Sequence, residues 1–76
     1  MSLSRGHVRM LRQLYSQQIP DSSLWFRPLR LAQNRECVEL HSAGYLKRRS
    51  SGGALEYRID TGADVVKQAV DLGILT

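Results

Sequence analysis

Cysteine, histidine, acidic residues and long apolar runs are all scarce in this chain of 76 residues. The single cysteine, Cys37, cannot close an internal disulfide, and no Cys/His grouping has metal-ligand spacing. A disulfide scaffold and a zinc module are therefore excluded, and no cofactor is expected. His7 and His41 stand far apart in sequence, and no glycine-rich phosphate loop follows a strand. Without convergent acid, base or nucleophile, an enzyme is not expected. Nothing approaches the roughly 20 apolar residues of a membrane span. The N-terminal charges are not followed by a long apolar stretch, so no signal peptide is expected. The expectation is a cytoplasmic protein in a reducing compartment.

What is present is a foldable, basic chain. Hydrophobic residues make up 42%, enough for one small core, so residues 1–76 read as a single domain. Eleven Lys and Arg face seven Asp and Glu, for a net charge of +4 and a pI near 9.8. The charge is polarised: ten of the cations precede Ile59, while Asp60, Asp64 and Asp71 outnumber Lys67 after it. Nine of the cations are arginine, whose fork suits phosphate oxygens and guanine edges.

The hydrophobic pattern predicts a helix over 4–18. Val8, Leu11 and Tyr15 recur at helical spacing, Met10 and Leu14 lie beside them, Ser4 caps and Pro20 stops. Asp21-Ser22-Ser23 is turn chemistry. Leu24-Trp25-Phe26 reads as a buried segment, at most a one-bridge strand. Pro28 suits the first turn of a short helix over 28–32 that buries Leu29 or Leu31 with Ala32. Gln33-Asn34 then turns into a helix from Arg35 to Ala43, ended by Gly44. Tyr45–Arg49 and the alternating Leu55–Ile59 form a β-hairpin around Ser50-Ser51-Gly52-Gly53. Thr61-x-x-Asp64 has the form of a capping box before Val65, Val66, Ala69 and Val70. Gly73 closes that helix, with Ile74 folding back in a Schellman arrangement.

In this order, Leu40-x-x-x-Gly44-Tyr45-Leu46-x-Arg48 and Tyr57-x-Ile59-x-Thr61 resemble the MarR-like winged-helix proteins. Trp25-Phe26-Arg27-Pro28-Leu29-Arg30-Leu31 is similar to the Trp-x-Arg-Pro entry to helix two in small phage and bacterial versions. The resemblance covers about residues 4–62. It implies an α+β winged helix-turn-helix: a three-helix core, a two-stranded wing and a C-terminal helix. It further implies a small transcription regulator on double-stranded DNA, its third helix in the major groove and its wing on the backbone. Carried over by position, the contacts are Arg30, Gln33, Asn34, Arg35, Glu39 and Ser42 on the helical side, with Val38 on the same face. Lys47, Arg48, Arg49 and Arg58 are the contacts on the wing. Arg35 suits guanine, Gln33 or Asn34 adenine, and Glu39 cytosine N4.

Two further expectations accompany this reading. A homodimer through the last helix would set two recognition helices one DNA turn apart. The alternative function is a winged-helix protein-docking module, engaging partners through Trp25, Phe26 or the last helix.

Overall fold

The computed structural model describes residues 2–19 and 23–75. The stop expected at Pro20 and the turn at Asp21-Ser22 lie outside them. In chain order the elements are α1 (Arg5–Gln18), α2 (Leu31–Ser42), β1 (Leu46–Ser51), β2 (Ala54–Ile59) and α3 (Asp64–Asp71). The strands form one antiparallel hairpin, so the molecule is a small α+β fold of three helices and a wing-like ribbon among the described residues.

Helix α1 starts as its sequence demands, at Ser4. The His7 backbone N–H donates to Ser4 Oγ at 3.2 Å, and the Ser4 N–H donates back to His7 Nδ1 at 3.0 Å. This is a capping box with histidine in the place usually taken by glutamate. The box expected at Thr61–Asp64 does not form. The chain between β2 and α3 turns on Asp60, whose Oδ1 accepts from the Gly62 N–H at 3.1 Å, and Ala63 becomes the cap without a side-chain bond.

The expected helices 28–32 and 35–43 are not separate. Residues 27–29 stay non-helical up to the extended cap Arg30, and α2 runs unbroken through Gln33 and Asn34. Two features favour continuity. Gln33, Cys37 and Leu40 fall on one edge at i, i+4 and i+7, and the latter two are fully buried. The Gln33 side chain also reaches back to the Leu29 N–H at 3.4 Å, serving the start of α2 rather than its interruption. The second helix of a helix-turn-helix is therefore absent among the described residues. Leu29, Leu31 and Ala32, expected to be buried by that helix, are exposed.

Helices α2 and α3 both end in Schellman motifs. Tyr45 N–H bonds Leu40 O and Gly44 N–H bonds His41 O, while Ile74 N–H bonds Ala69 O and Gly73 N–H bonds Val70 O. Gly44 and Gly73 carry the positive φ this requires, 90° and 78°. The hairpin turns on Gly52-Gly53, both at positive φ, which keeps the strand twist through a two-residue connection.

The hairpin face bearing Leu46, Tyr57 and Ile59 is roofed by α1 against β2 and α2 against β1. Met10, Leu11 and Leu14 from α1, Cys37 and Leu40 from α2, and Val66, Ala69 and Leu75 complete the core. Leu55 belongs to the same hairpin face by alternation, yet it is exposed near the turn. Phe26 adds a single bridge to the far side of β2: its N–H and carbonyl both pair with Tyr57, at 2.7 and 2.8 Å. The one-bridge strand expected around Phe26 is thus present. Val66 and Ala69 are buried, Val65, Val70 and Ile74 pack against the core, and Arg12 Nε donates to Ile74 O at 2.9 Å. Of the apolar residues on which pairing of two copies was expected, Val66 and Leu75 are buried within the chain, while Val65, Val70 and Ile74 are half-buried.

Candidate nucleic-acid interface

Antiparallel register divides the wing cations into two groups. Lys47 stands opposite Arg58, Arg48 opposite Tyr57, and Arg49 opposite Glu56. Because side chains alternate across a strand, Arg48 shares the Tyr57 face turned to α2. Lys47, Arg49 and Arg58 share the opposite face. The four cations expected on the wing are thus divided between the two faces of the hairpin.

The outer face is a charged lattice built across the two strands and the bridged segment at Phe26. The Phe26–Tyr57 bridge sets Trp25 level with Arg58 and Arg27 level with Glu56. Glu56 accepts from Arg49 Nε at 2.9 Å and from Arg27 Nη2 at 3.3 Å. The Arg49 and Arg58 guanidiniums lie over the Trp25 ring, 4.5 and 5.4 Å from its centroid, a cation–π arrangement. Trp25 is therefore half-buried beneath arginines and is not a core residue, while Leu24 is exposed. Arg49 and Arg58 are engaged in holding the bridge segment to the hairpin. Lys47 and Arg48 are exposed and make no ion pair with another described residue.

The hydrogen bond from Arg49, helped by the charges of Arg49 and Arg27 against a smaller opposing desolvation, holds the Glu56 carboxyl below the usual glutamate range. A carboxyl depressed on folding stabilises the fold above its unfolded value, and that contribution is lost as pH falls through the folded value. The expected result is a change in fluorescence of Trp25, the sole tryptophan, on the acid side of the usual glutamate range. Glu56→Gln should abolish that transition. A titration identical in both proteins would detach Glu56 from the Trp25 lattice.

On α2 the side chains sort equally clearly. With Cys37 and Leu40 inward, the outward stripe is Leu31, Arg35, Val38 and Ser42, all exposed, with Asn34 and Glu39 on its flanks. His41 lies on the hairpin side, its ring edge-on to Tyr57 at 6.3 Å and 67°. Both carboxylates of α2 lie on the α1 side. Glu36 packs over Gly6, where an added Cβ would collide with its Oε2. Glu39 is held by His7: since Nδ1 accepts from the Ser4 N–H, Nε2 carries the ring proton and donates to Glu39 Oε1 at 3.1 Å. The acidic groups are thereby drawn off the centre of the stripe, leaving Arg35 as its only charge.

The remaining expected contacts are placed as follows. Arg30, the cap of α2, is exposed and lines the groove between α1 and α2 together with Arg9. Gln33 lines the same groove, half-buried and turned to Leu29, and so lies off the outward stripe of α2. Asn34 and Ser42 are exposed and Arg58 is half-buried. Leu31, His7 and the Arg27–Glu56 pair are the residues sequence reasoning missed. Ser4-x-x-His7 was the visible signal for one, and Arg27 one residue from a bridging Phe26 for another.

Cys37 is fully buried and its thiol is pushed up to about 12, by burial first and by Glu36 second, which leaves it a small apolar filler. Among the described residues no cluster of His, Cys, Asp or Glu could hold a metal, and no helix is long and apolar enough to cross a membrane. Comparison with protein-family models, curated proteins and solved structures gives no match.

Proposed function

We propose that this chain is a small double-stranded-DNA-binding module that regulates transcription by occupying its site without a cofactor. Helix α2 enters the major groove by its outward stripe, and the hairpin lies against the phosphate backbone. One observation carries the reading. The buried edge of α2 leaves a single-charge stripe about 18 Å long open to solvent, beside a hairpin with two exposed cations, Lys47 and Arg48, that make no ion pair with a described residue. A major groove about 12 Å wide admits such a helix.

The protein-docking alternative has less to stand on. Trp25 lies under two arginines, Phe26 is tied into a bridge, and the apolar residues of α3 pack into the core.

Fluorescence anisotropy on a labelled random-sequence 20-base-pair duplex tests the reading. Binding should weaken linearly in log K against log salt. No binding at 50 mM salt removes DNA as the partner. Arg35→Ala should lower preference for a selected site by about 1–3 kcal/mol while leaving random duplex less affected. Equal losses on both would make Arg35 a phosphate contact.

A further inference from the structure

The outward stripe of α2 has an unusual composition for a surface helix. Leu31 is 91% exposed and Val38 is 38% exposed, about two turns apart on the same face, with Arg35 between them. Neither apolar side chain belongs to the core cluster. Gln33 faces the groove against α1, and Glu39 is drawn toward His7. The amide and carboxylate that hydrogen-bond adenine and cytosine are thus displaced from the centre of the face, and what remains there is apolar, cationic, apolar.

We infer that α2 reads thymine C5-methyl groups through Leu31 and Val38, on either side of a guanine contacted by Arg35. This rests on the DNA-binding reading above and specifies the bases that such a helix selects. The chemistry follows from the major-groove edges: thymine alone presents a methyl group, guanine alone presents the O6/N7 pair that a guanidinium forks onto, and an aliphatic side chain discriminates only the methyl. The spacing is compatible with one site. Leu31 and Val38 are seven residues apart, a rise of about 10 Å, which spans about three base pairs at 3.4 Å per step. A protein partner fits less well. Two aliphatic side chains separated by an arginine, followed by Ser42 and flanked by Asn34 and Glu39, do not make the contiguous apolar centre of a docking patch.

Uracil, which differs from thymine only by lacking the methyl, gives a test that does not depend on protein folding. The probe is the duplex enriched from a random 20-base-pair library by the wild-type chain, synthesised with thymine or with uracil throughout. Burial of one methyl corresponds to about fourfold in affinity, so two contacts should make the thymine duplex about sixteenfold tighter. Leu31→Ala and Val38→Ala, both on the exposed stripe, should each shrink that ratio by about fourfold while retaining binding to the uracil duplex. Equal affinity for the two duplexes, or a ratio unchanged in both variants, overturns the inference and leaves DNA binding standing. Failure to enrich or bind any duplex at 50 mM salt overturns both. Tight, salt-independent association of the stripe with another protein, lost in Leu31→Ala while duplex affinity is unchanged, would assign the two side chains to that partner instead.

Discussion

Tyr57→Ala is expected to leave the chain largely unfolded at 25 °C. Tyr57 is 0% exposed and is the largest of the fully buried side chains. It sits where four pieces of the molecule meet. Its strand pairs with β1 opposite Arg48, its backbone bonds Phe26 in both directions, and its ring meets His41 of α2. Truncating a buried aromatic to alanine costs about 3–5 kcal/mol, from lost transfer energy and the cavity left behind. A single core in a domain this small supplies only about 3–5 kcal/mol in total, so the loss consumes most of the stability. Tyr57→Phe should behave oppositely. The hydroxyl is buried with no hydrogen-bond partner among the described residues, and its removal eliminates an unsatisfied polar group. Stability equal to wild type, or higher by about 1 kcal/mol, is expected. Urea unfolding followed by Trp25 fluorescence measures both. A phenylalanine variant weaker by more than about 1 kcal/mol would show that the hydroxyl is bonded.

The salt dependence of DNA binding should fall most when Lys47 and Arg48 are removed together. Both are exposed and without an ion pair to a described residue, and they sit on opposite faces of β1. Each phosphate contact contributes about 0.9 to the slope of log K against log salt, so Lys47→Ala/Arg48→Ala should flatten it by about 1.8. Between 50 and 200 mM salt the double variant should then lose roughly tenfold less affinity than wild type. Arg49→Ala should change the slope far less, because that guanidinium already serves Glu56 and Trp25. Its effect should appear in Trp25 emission instead. The reverse order, with Arg49→Ala the larger change in slope, would mean that the lattice opens on binding and Arg49 itself meets the backbone.

Several elements could be read before any tertiary contact was known, because short-range rules govern them. The face of α1, the closure of α2 by Gly44, the hairpin about Gly52-Gly53 and the Schellman turn at Gly73 each depend on a periodicity or a positive φ within a few residues. Two local readings failed for a local reason of another kind. Gln33-Asn34 has turn chemistry, but half-buried Gln33 continues the edge of fully buried Cys37 and Leu40, and packing outweighed propensity. Thr61-x-x-Asp64 matched a capping box, yet Asp60 took over the turn and helix α3 began at Asp64.

The candidate site was legible as a set of residue types and much less so as a surface. Arg35 and Ser42 remain on the open face of α2, as their spacing from Leu40 predicts. The split of Lys47, Arg48, Arg49 and Arg58 between two faces follows from a strand pairing that a one-residue slip would have inverted. The sequence alone determined a basic, single-core α+β chain with a helix, a hairpin and a closing helix, since composition and periodicity act over short distances. Only the tertiary structure decided that Trp25 lies beneath arginines, that His7 draws Glu39 aside, and that Leu31 stands in solvent. Those outcomes depend on contacts between residues some thirty positions apart, or on a helix boundary set by them, and no local pattern encodes such a distance.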